Sequence, residues 1–196
     1  MKTFVYYLKQ TFIPIIYTLF SAVMALGIVS TNWTGWLKVA LLVLNLILHV
    51  YIIFTFNYKE GQDALKVRTV NDLERVNIIK TGEDRKLDTQ REYKAHKGII
   101  IGLYICIPLF VLMVIHAIIL LSSSASASLA GGTAAFLYHM VYGLFYVLDE
   151  TASCFYCLLY APLVIAVTGL SYYLGARKIE NQQNSIRETH RQIYGD

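Results

Sequence analysis

The chain has 196 residues, of which 56% are hydrophobic and only 15% charged, and its net charge is +4. Soluble domains usually carry about 25% charged residues, so this composition excludes an ordinary soluble domain. The positive charge does not indicate a nucleic-acid partner, because the basic residues are distributed as membrane-orientation signals rather than gathered on one face. We expect an all-α integral membrane protein whose residues 1–196 form one domain in the lipid bilayer.

Four apolar segments have the length of a membrane span, since about 20 helical residues cross the hydrocarbon core. Backbone groups in lipid must satisfy their own hydrogen bonds, which predicts helices. Lys2 and Lys9 precede the first segment as in a signal peptide, but no small-x-small cleavage site follows, so we predict an uncleaved span. In chain order, the predicted spans cover about residues 11–29, 36–56, 98–121 and 155–175.

The basic residues predict the orientation of these spans. Of the 17 Lys and Arg residues, two lie in residues 1–10, ten in residues 57–97 and four in residues 177–196. The exception, Lys38, can extend to the nearby interface. Four spans place all three basic segments on one side, which the positive-inside tendency assigns to the cytoplasm. We therefore expect cytoplasmic N- and C-termini, a cytoplasmic loop 57–97, a cytoplasmic tail 177–196 and a location in the plasma membrane.

The segment 133–148 is apolar but only sixteen residues long. As a fifth span it would move the C-terminal basic segment to the outside, and its aromatic residues suit the membrane interface. We predict an interfacial or re-entrant helix on the outer face, with a fifth span as the alternative. The Ser-Ala stretch 122–128 and the following Gly131 and Gly132 indicate a flexible linker before it.

The loop 57–97 is the only large hydrophilic segment, and its ten basic residues oppose eight acidic ones. Apolar residues at helical spacing predict an amphipathic helix in its first half. Thr81 and Gly82 indicate a break, after which residues 83–97 are expected to lead helically into the third span. The loop is either a solvated connector or a docking element for a cytoplasmic protein partner. The apolar residues of the predicted helix are Leu65, Val70, Leu73 and Val76.

Small residues in the third and fourth predicted spans indicate close helix packing. Gly98 and Gly102 form a GxxxG motif, and Gly169 can serve similarly in the last span. Such glycines bring helices together either within one chain or between copies, so a homo-oligomer is one expectation.

Polar residues inside the predicted spans are candidates for a substrate path. Asn45 and His49 are four residues apart and share one face of the second span, and His116 lies in the third. The alternative is that they form hydrogen bonds between helices. We favour that structural interpretation, because no span carries a central acidic residue of the kind that proton-driven transporters use.

Cys154 and Cys157 form a C-x-x-C pair at the predicted outer end of the last span, and Cys106 lies within the third. Two cysteines three apart in a helix permit reversible disulfide chemistry, so they are redox candidates. The alternative is two inert apolar residues. Zinc ligands could also come from His139, Asp149 and Glu150 with these cysteines, but one C-x-x-C without a second ligand pair is weak evidence, and we expect no metal.

No nucleotide-binding loop, H-E-x-x-H, G-x-S-x-G or calcium-loop signature occurs in the sequence. We therefore expect no cofactor and, as the leading hypothesis, a non-enzymatic accessory or permease-like subunit of a membrane assembly. The alternatives are a small-solute transporter or channel, and a membrane thiol-disulfide protein that uses Cys154 and Cys157.

Overall fold

The computed structural model describes residues 2–82, 87–122 and 129–194, and these residues form helices without any strand. A short 3₁₀ helix, Cys154–Leu159, precedes the last α-helix. The α-helices are α1 Lys2–Ser30, α2 Gly35–Thr81, α3 Lys97–Ser122, α4 Leu129–Leu137, α5 His139–Leu148 and α6 Tyr160–Tyr194.

Within the described residues, four helical segments are long and apolar enough to cross a membrane: α1, α2, α3, and α6 together with the 3₁₀ helix. A fifth would be added only if the bent pair α4–α5 counted as one span. The expectation of an all-α membrane protein with four long apolar helices is confirmed.

Helices α1 and α2 run antiparallel, as two sets of polar contacts show. Near the start of α1, the Tyr6 hydroxyl donates to Glu60 Oε1 at 2.8 Å. Midway along both helices, Ser21 Oγ donates to Asn45 Oδ1 at 3.2 Å, and Asn45 Nδ2 donates to the Ser21 carbonyl at 2.9 Å. The loop between the two helices is therefore at the opposite end of the bundle from Glu60.

Helices α2 and α6 run parallel. His49 lies beside Tyr160, and further along Gln183 Nε2 donates to Thr69 Oγ1 at 3.0 Å. Because the start of α1 and the distal halves of α2 and α6 meet, the described residues of the three basic segments lie at one end of the bundle, which we call the basic end. The opposite end, where the 3₁₀ helix lies, is the far end.

Lys38, the one basic residue outside those segments, lies at the far end. Its Nζ donates to the Val29 carbonyl at 2.8 Å. That carbonyl belongs to the last turn of α1, where carbonyl groups lack partners within the helix. The lysine therefore caps the end of α1.

The glycines predicted to pack helices lie at the α3–α6 contact. A Cβ built at Gly98 would lie 2.7 Å from the Thr168 carbonyl oxygen and 3.0 Å from Gly169 Cα. At Gly102 it would lie 2.9 Å from Ile165 Cα. Only glycine allows this approach, so within one chain the motif joins α3 to α6.

Helices α2 and α6 pack still more closely near the basic end. A Cβ built at Gly61 would lie 2.9 Å from the carbonyl carbon of Tyr172, and one at Gly175 would lie 2.9 Å from the carbonyl carbon of Tyr58. Each glycine thus faces the backbone of the other helix, and the two contacts are reciprocal. The sequence does not indicate this pair, because Gly61 lies beyond the apolar segment of α2.

Both helices continue well past the bilayer. At 1.5 Å per residue, the 47 residues of α2 are about 70 Å long, whereas the hydrocarbon core is about 30 Å thick. We call residues 57–81 of α2 and 176–194 of α6 the extension. The helix expected in the first half of the loop 57–97 is confirmed, and so is its end: Gly82 has φ 71° and donates to the Ile78 carbonyl at 2.8 Å. Residues 177–194 of the expected tail continue α6 as one helix.

The expectation of a helix leading into α3 is wrong for residues 87–96, and residues 83–86 lie outside the described ones. This segment is irregular and folds back on α2. The Tyr93 N–H donates to the Ala64 carbonyl at 3.0 Å, and Arg75 binds the Glu92 carboxylate through two nitrogens at 2.9 and 3.1 Å. The Tyr93 ring also stacks on Tyr172, and burial raises the pKa of Tyr93. These long-range contacts replace the local hydrogen bonds of a helix.

The segment expected as one helix over 133–148 is a bent pair. Helix α4 begins at Leu129, and the axes of α4 and α5 differ by 100° across Tyr138, which is buried against Tyr160. Each helix is about 15 Å long, too short to cross the core alone. Gly131 and Gly132 belong to α4, so their assignment to a linker is wrong, and residues 123–128 lie outside the described residues.

Candidate functional site

Asn45 and His49 join helices inside the bundle. Asn45 bonds to Ser21 on α1, as described above. His49 is almost fully buried, and its Nε2 lies 3.0 Å from the Tyr160 hydroxyl, which in turn lies 3.0 Å from Thr18 Oγ1. The His49–Tyr160–Thr18 chain therefore connects α2, α6 and α1 through two buried hydrogen bonds.

His116 does not join this chain. It is a buried residue of α3 near the far end, and its Nε2 lies 3.0 Å from the Cys154 Sγ. The two residues are 38 positions apart in sequence and belong to different helical elements. The structure thus separates His116 from Asn45 and His49, and it pairs His116 with one of the two redox candidates.

A pocket of about 420 Å³ contains the Cys154–His116 pair at the far end, and we call it the far-end pocket. The first turn of α4 forms one wall, and residues 151–155 form another. Tyr142 of α5 supports that wall, because its hydroxyl donates to the Ala152 carbonyl at 3.2 Å. Among the lining residues that the structure describes, none is Lys, Arg, Asp or Glu.

Gly131 is required where α4 approaches the pair. A Cβ at this position would lie 2.6 Å from His116 Nδ1 and 3.1 Å from Cys154 Sγ. Sequence reasoning missed this role, because a glycine pair after a Ser-Ala stretch is also typical of a loop. The signal that could have found it is the absence of proline and of charge from residues 129–148.

Cys157 lies one 3₁₀ turn after Cys154. In a 3₁₀ helix the residues i and i+3 eclipse, so the two side chains project on the same side, whereas in an α-helix they would be offset. Cys157 is fully buried and Cys154 is half-buried, and both thiols are free. Cys106 is also a free, fully buried cysteine, within α3. The Ser153 hydroxyl accepts from the Phe155 N–H at 3.4 Å at the start of the turn.

The residues considered as metal ligands have other contacts. His139 Nδ1 lies 3.2 Å from the Ala135 carbonyl. The Asp149 carboxylate accepts hydrogen bonds from the hydroxyl and the N–H of Thr151 at 2.7 and 2.9 Å, and these bonds lower the pKa of Asp149. Within residues 2–82, 87–122 and 129–194, no three His, Cys, Asp or Glu side chains are grouped to hold a metal ion.

A second candidate region lies on the extension. Gln183 and Thr69 mark a point where α2 and α6 are in contact, and every α6 residue from 184 to 194 is exposed. Residues three or four apart lie on one face of a helix. Steps of three or four from Thr69 lead to Leu73 and Val76.

The same steps from Gln183 lead to Ile186, then to His190 and then to Ile193. The helix faces that meet at Thr69 and Gln183 therefore continue along both helices. The apolar residues on this continuation have relative exposures between 48% and 68%. We call these four residues the open seam: Leu73 and Val76 of α2, and Ile186 and Ile193 of α6.

No protein-family model, curated protein or solved structure matches this chain.

Proposed function

We propose that the protein is an accessory subunit of a membrane assembly, and that it binds an amphipathic helix of a partner protein in the open seam. The observation that carries this proposal is the exposure of four large aliphatic side chains along the continuation of a helix–helix contact. Apolar residues at spacings of three and four are what helix-in-groove recognition uses.

The extension lies in the cytoplasm under this proposal. It emerges from the basic end, where fourteen of the fifteen Lys and Arg residues that the structure describes occur, and the positive-inside tendency assigns such an end to the cytoplasm. An aqueous location makes the exposure of the open seam unfavourable, because burying one Leu, Ile or Val side chain stabilises by about 1.5–3 kcal/mol. A partner helix would remove these side chains from water.

The isolated end of α6 supports the same proposal. Residues 184–194 form three turns, and helices shorter than about 12–15 residues are marginal in water without packing. Ile186 and Ile193 are the residues that such packing would bury. A partner seated between them and α2 would order this end of α6 and extend the α2–α6 interface.

A different protein is favoured over a second copy of this chain. Copies in one membrane pair in parallel, and in a symmetric parallel pair equal residues of the seam meet. The seam of α6 places Gln183 and His190 between its isoleucines, so self-pairing would set polar residues against their own copies. A partner helix can instead offer a complementary residue at each of these positions.

The internal polar contacts also support a subunit rather than a transporter. Asn45 and His49 are engaged by Ser21 and Tyr160, so these side chains stabilise helix packing. A substrate path would need them to face a water-filled cavity.

Photo-crosslinking tests the proposal. A photoreactive amino acid is placed at Val76 or at Ile193 in cells, and the adducts are analysed by mass spectrometry. Glu188 is the matched control, because it is exposed and lies two residues from Ile186 on the opposite side of α6. We expect both seam positions to crosslink to one helical segment of the same foreign protein, and the control position to give none.

We also expect an Ile186→Asp substitution to abolish both adducts, which would support binding of the partner in the open seam. The proposal is wrong if Val76 and Ile193 give no adduct or give unrelated ones. It is also wrong if their adducts have twice the mass of the chain, or if the crosslink joins α2 to α6 within one chain.

A further inference from the structure

We propose that the far-end pocket is a thiol-disulfide exchange site, in which His116 accepts the proton of Cys154 and Cys157 resolves the mixed disulfide. This activity is independent of the open seam, which lies at the other end of the molecule.

The attacking group is Cys154. A thiol reacts as its thiolate, so a base in contact with the sulfur is needed. His116 Nε2 is 3.0 Å from Sγ, and Gly131 packs closely against the buried ring beside Nδ1. Cys154 is the half-buried member of the pair and lines the pocket, so an incoming disulfide can reach it.

The resolving group is Cys157. It is fully buried, so a substrate cannot attack it directly, and the 3₁₀ turn places it on the same side as Cys154. This asymmetry between an accessible and a buried thiol is what a two-step exchange requires. No other cysteine lies three residues from Cys106, and Cys106 takes no part in the proposed exchange.

One substrate disulfide accounts for all the atoms and electrons of the exchange. The Cys154 thiolate, having given its proton to His116, attacks one substrate sulfur, and the substrate S–S bond breaks as the mixed disulfide forms. The departing substrate thiolate takes a proton from the His116 imidazolium. Cys157 then loses its proton to the second departing thiolate and attacks the Cys154 sulfur. The substrate disulfide is reduced to two thiols, and Cys154 and Cys157 are oxidised to one disulfide. A dithiol substrate drives the reverse reaction.

The lining of the pocket identifies the class of substrate. Its described residues include no Lys, Arg, Asp or Glu, and Gly131, Gly132, Thr151 and Ser153 offer small or neutral polar surface. An uncharged disulfide, such as one within a peptide segment, fits this surface better than a highly charged one.

The test uses the purified full-length protein in lipid nanodiscs with a Cys106→Ser background, so that only two thiols remain. The neutral probe is 2,2′-dithiodipyridine, and release of pyridinethione is followed by absorbance. Two thiols release two pyridinethiones whether or not they form a disulfide, so the mass of the protein is also measured. We expect no pyridylthio group to remain on the protein, because Cys157 displaces it, and one to remain on Cys154 in the Cys157→Ser variant. The doubly anionic 5,5′-dithiobis(2-nitrobenzoate) should react more slowly.

His116→Gln separates catalysis from structure. General-base assistance contributes about 100-fold or more, so we expect the rate constant at pH 7 to fall at least about 10-fold. The pH profile should also change from one governed by the imidazole to one that rises with thiol ionisation alone, an effect that loss of packing would not produce. Thermal unfolding of each variant establishes that it is folded. An unchanged rate in a folded His116→Gln variant overturns the proposal, and so does a pyridylthio group that stays on each of Cys154 and Cys157 when both cysteines are present.

Discussion

Replacing Gly61 by alanine tests how closely α2 and α6 pack where they leave the bundle. The added Cβ would lie 2.9 Å from the Tyr172 carbonyl carbon and closer still to its oxygen. Real Cβ atoms essentially never approach other heavy atoms within 3.0 Å, and here the obstacle is backbone that cannot rotate away. The helices would have to separate by on the order of 1 Å.

Two effects of opposite sign determine the change in stability caused by Gly61→Ala. Alanine is favoured over glycine in a helix by about 1 kcal/mol, whereas overpacking a close contact costs about 1–3 kcal/mol. Because the contact is with backbone, we expect the upper part of that range and a net destabilisation of about 1–2 kcal/mol. For a chain of this length, 1 kcal/mol lowers Tm by about 2–4 °C, so the expected decrease is about 2–8 °C.

Thermal unfolding in a mild detergent measures this decrease. Gly27→Ala is the matched control, because Gly27 is also helical and its added Cβ would meet nothing within 4 Å apart from the backbone of its own helix. The control should be neutral or stabilised by up to about 1 kcal/mol. Gly175→Ala should behave like Gly61→Ala, since it faces the Tyr58 backbone in the same way. If Gly61→Ala is stabilised as much as the control, the close approach of the two helices does not exist.

Tyr160→Phe should lower stability by about 1–2 kcal/mol, because it removes two hydrogen bonds and leaves His49 Nε2 buried without its partner; unfolding under the same conditions measures the loss, and an unchanged Tm would mean that this chain of contacts is absent. Glu92→Gln should weaken the attachment of residues 87–96 to Arg75 by about 0.2–1 kcal/mol. Trypsin cleavage after Arg91 should then accelerate by up to about 5-fold, and an unchanged rate would show that the ion pair does not hold the segment.

Physical features within the sequence predicted the helical architecture. Four apolar runs in a lipid solvent must be helices, and the end of α2 at Gly82 follows from glycine's tolerance of a positive φ. The continuation of α2 to Thr81 was visible as helical spacing of Leu65, Val70, Leu73 and Val76. The GxxxG glycines marked a close contact but could not say which helix they meet.

The features that could not be predicted depend on contacts between distant residues. Residues 87–96 lack a helix because Glu92 meets Arg75 and Tyr93 meets Ala64, and nothing local in their sequence indicates this. His116 was grouped with His49 because both are histidines in predicted spans, yet it contacts Cys154. The spacing of residues within one helix defines a face, but it does not reveal which helix that face meets.

The open seam also required the structure. Ile179, Ile186 and Ile193 repeat every seven residues in the sequence, a pattern that indicates helix pairing. They nevertheless lie in a polar segment that was expected only to be a tail. The structure shows that α6 continues to Tyr194 and that Ile186 and Ile193 are exposed. This segment is therefore a candidate binding surface.

Native mass spectrometry of the assembly extracted in a mild detergent tests the proposed function most directly. The chain has a mass of 22.3 kDa. We predict a complex whose additional mass belongs to a different polypeptide, and we predict that Val76→Asp combined with Ile193→Asp releases the chain as a folded monomer. A wild-type chain found only as a monomer or in whole multiples of its own mass would contradict the account, as would a complex that the double substitution leaves intact.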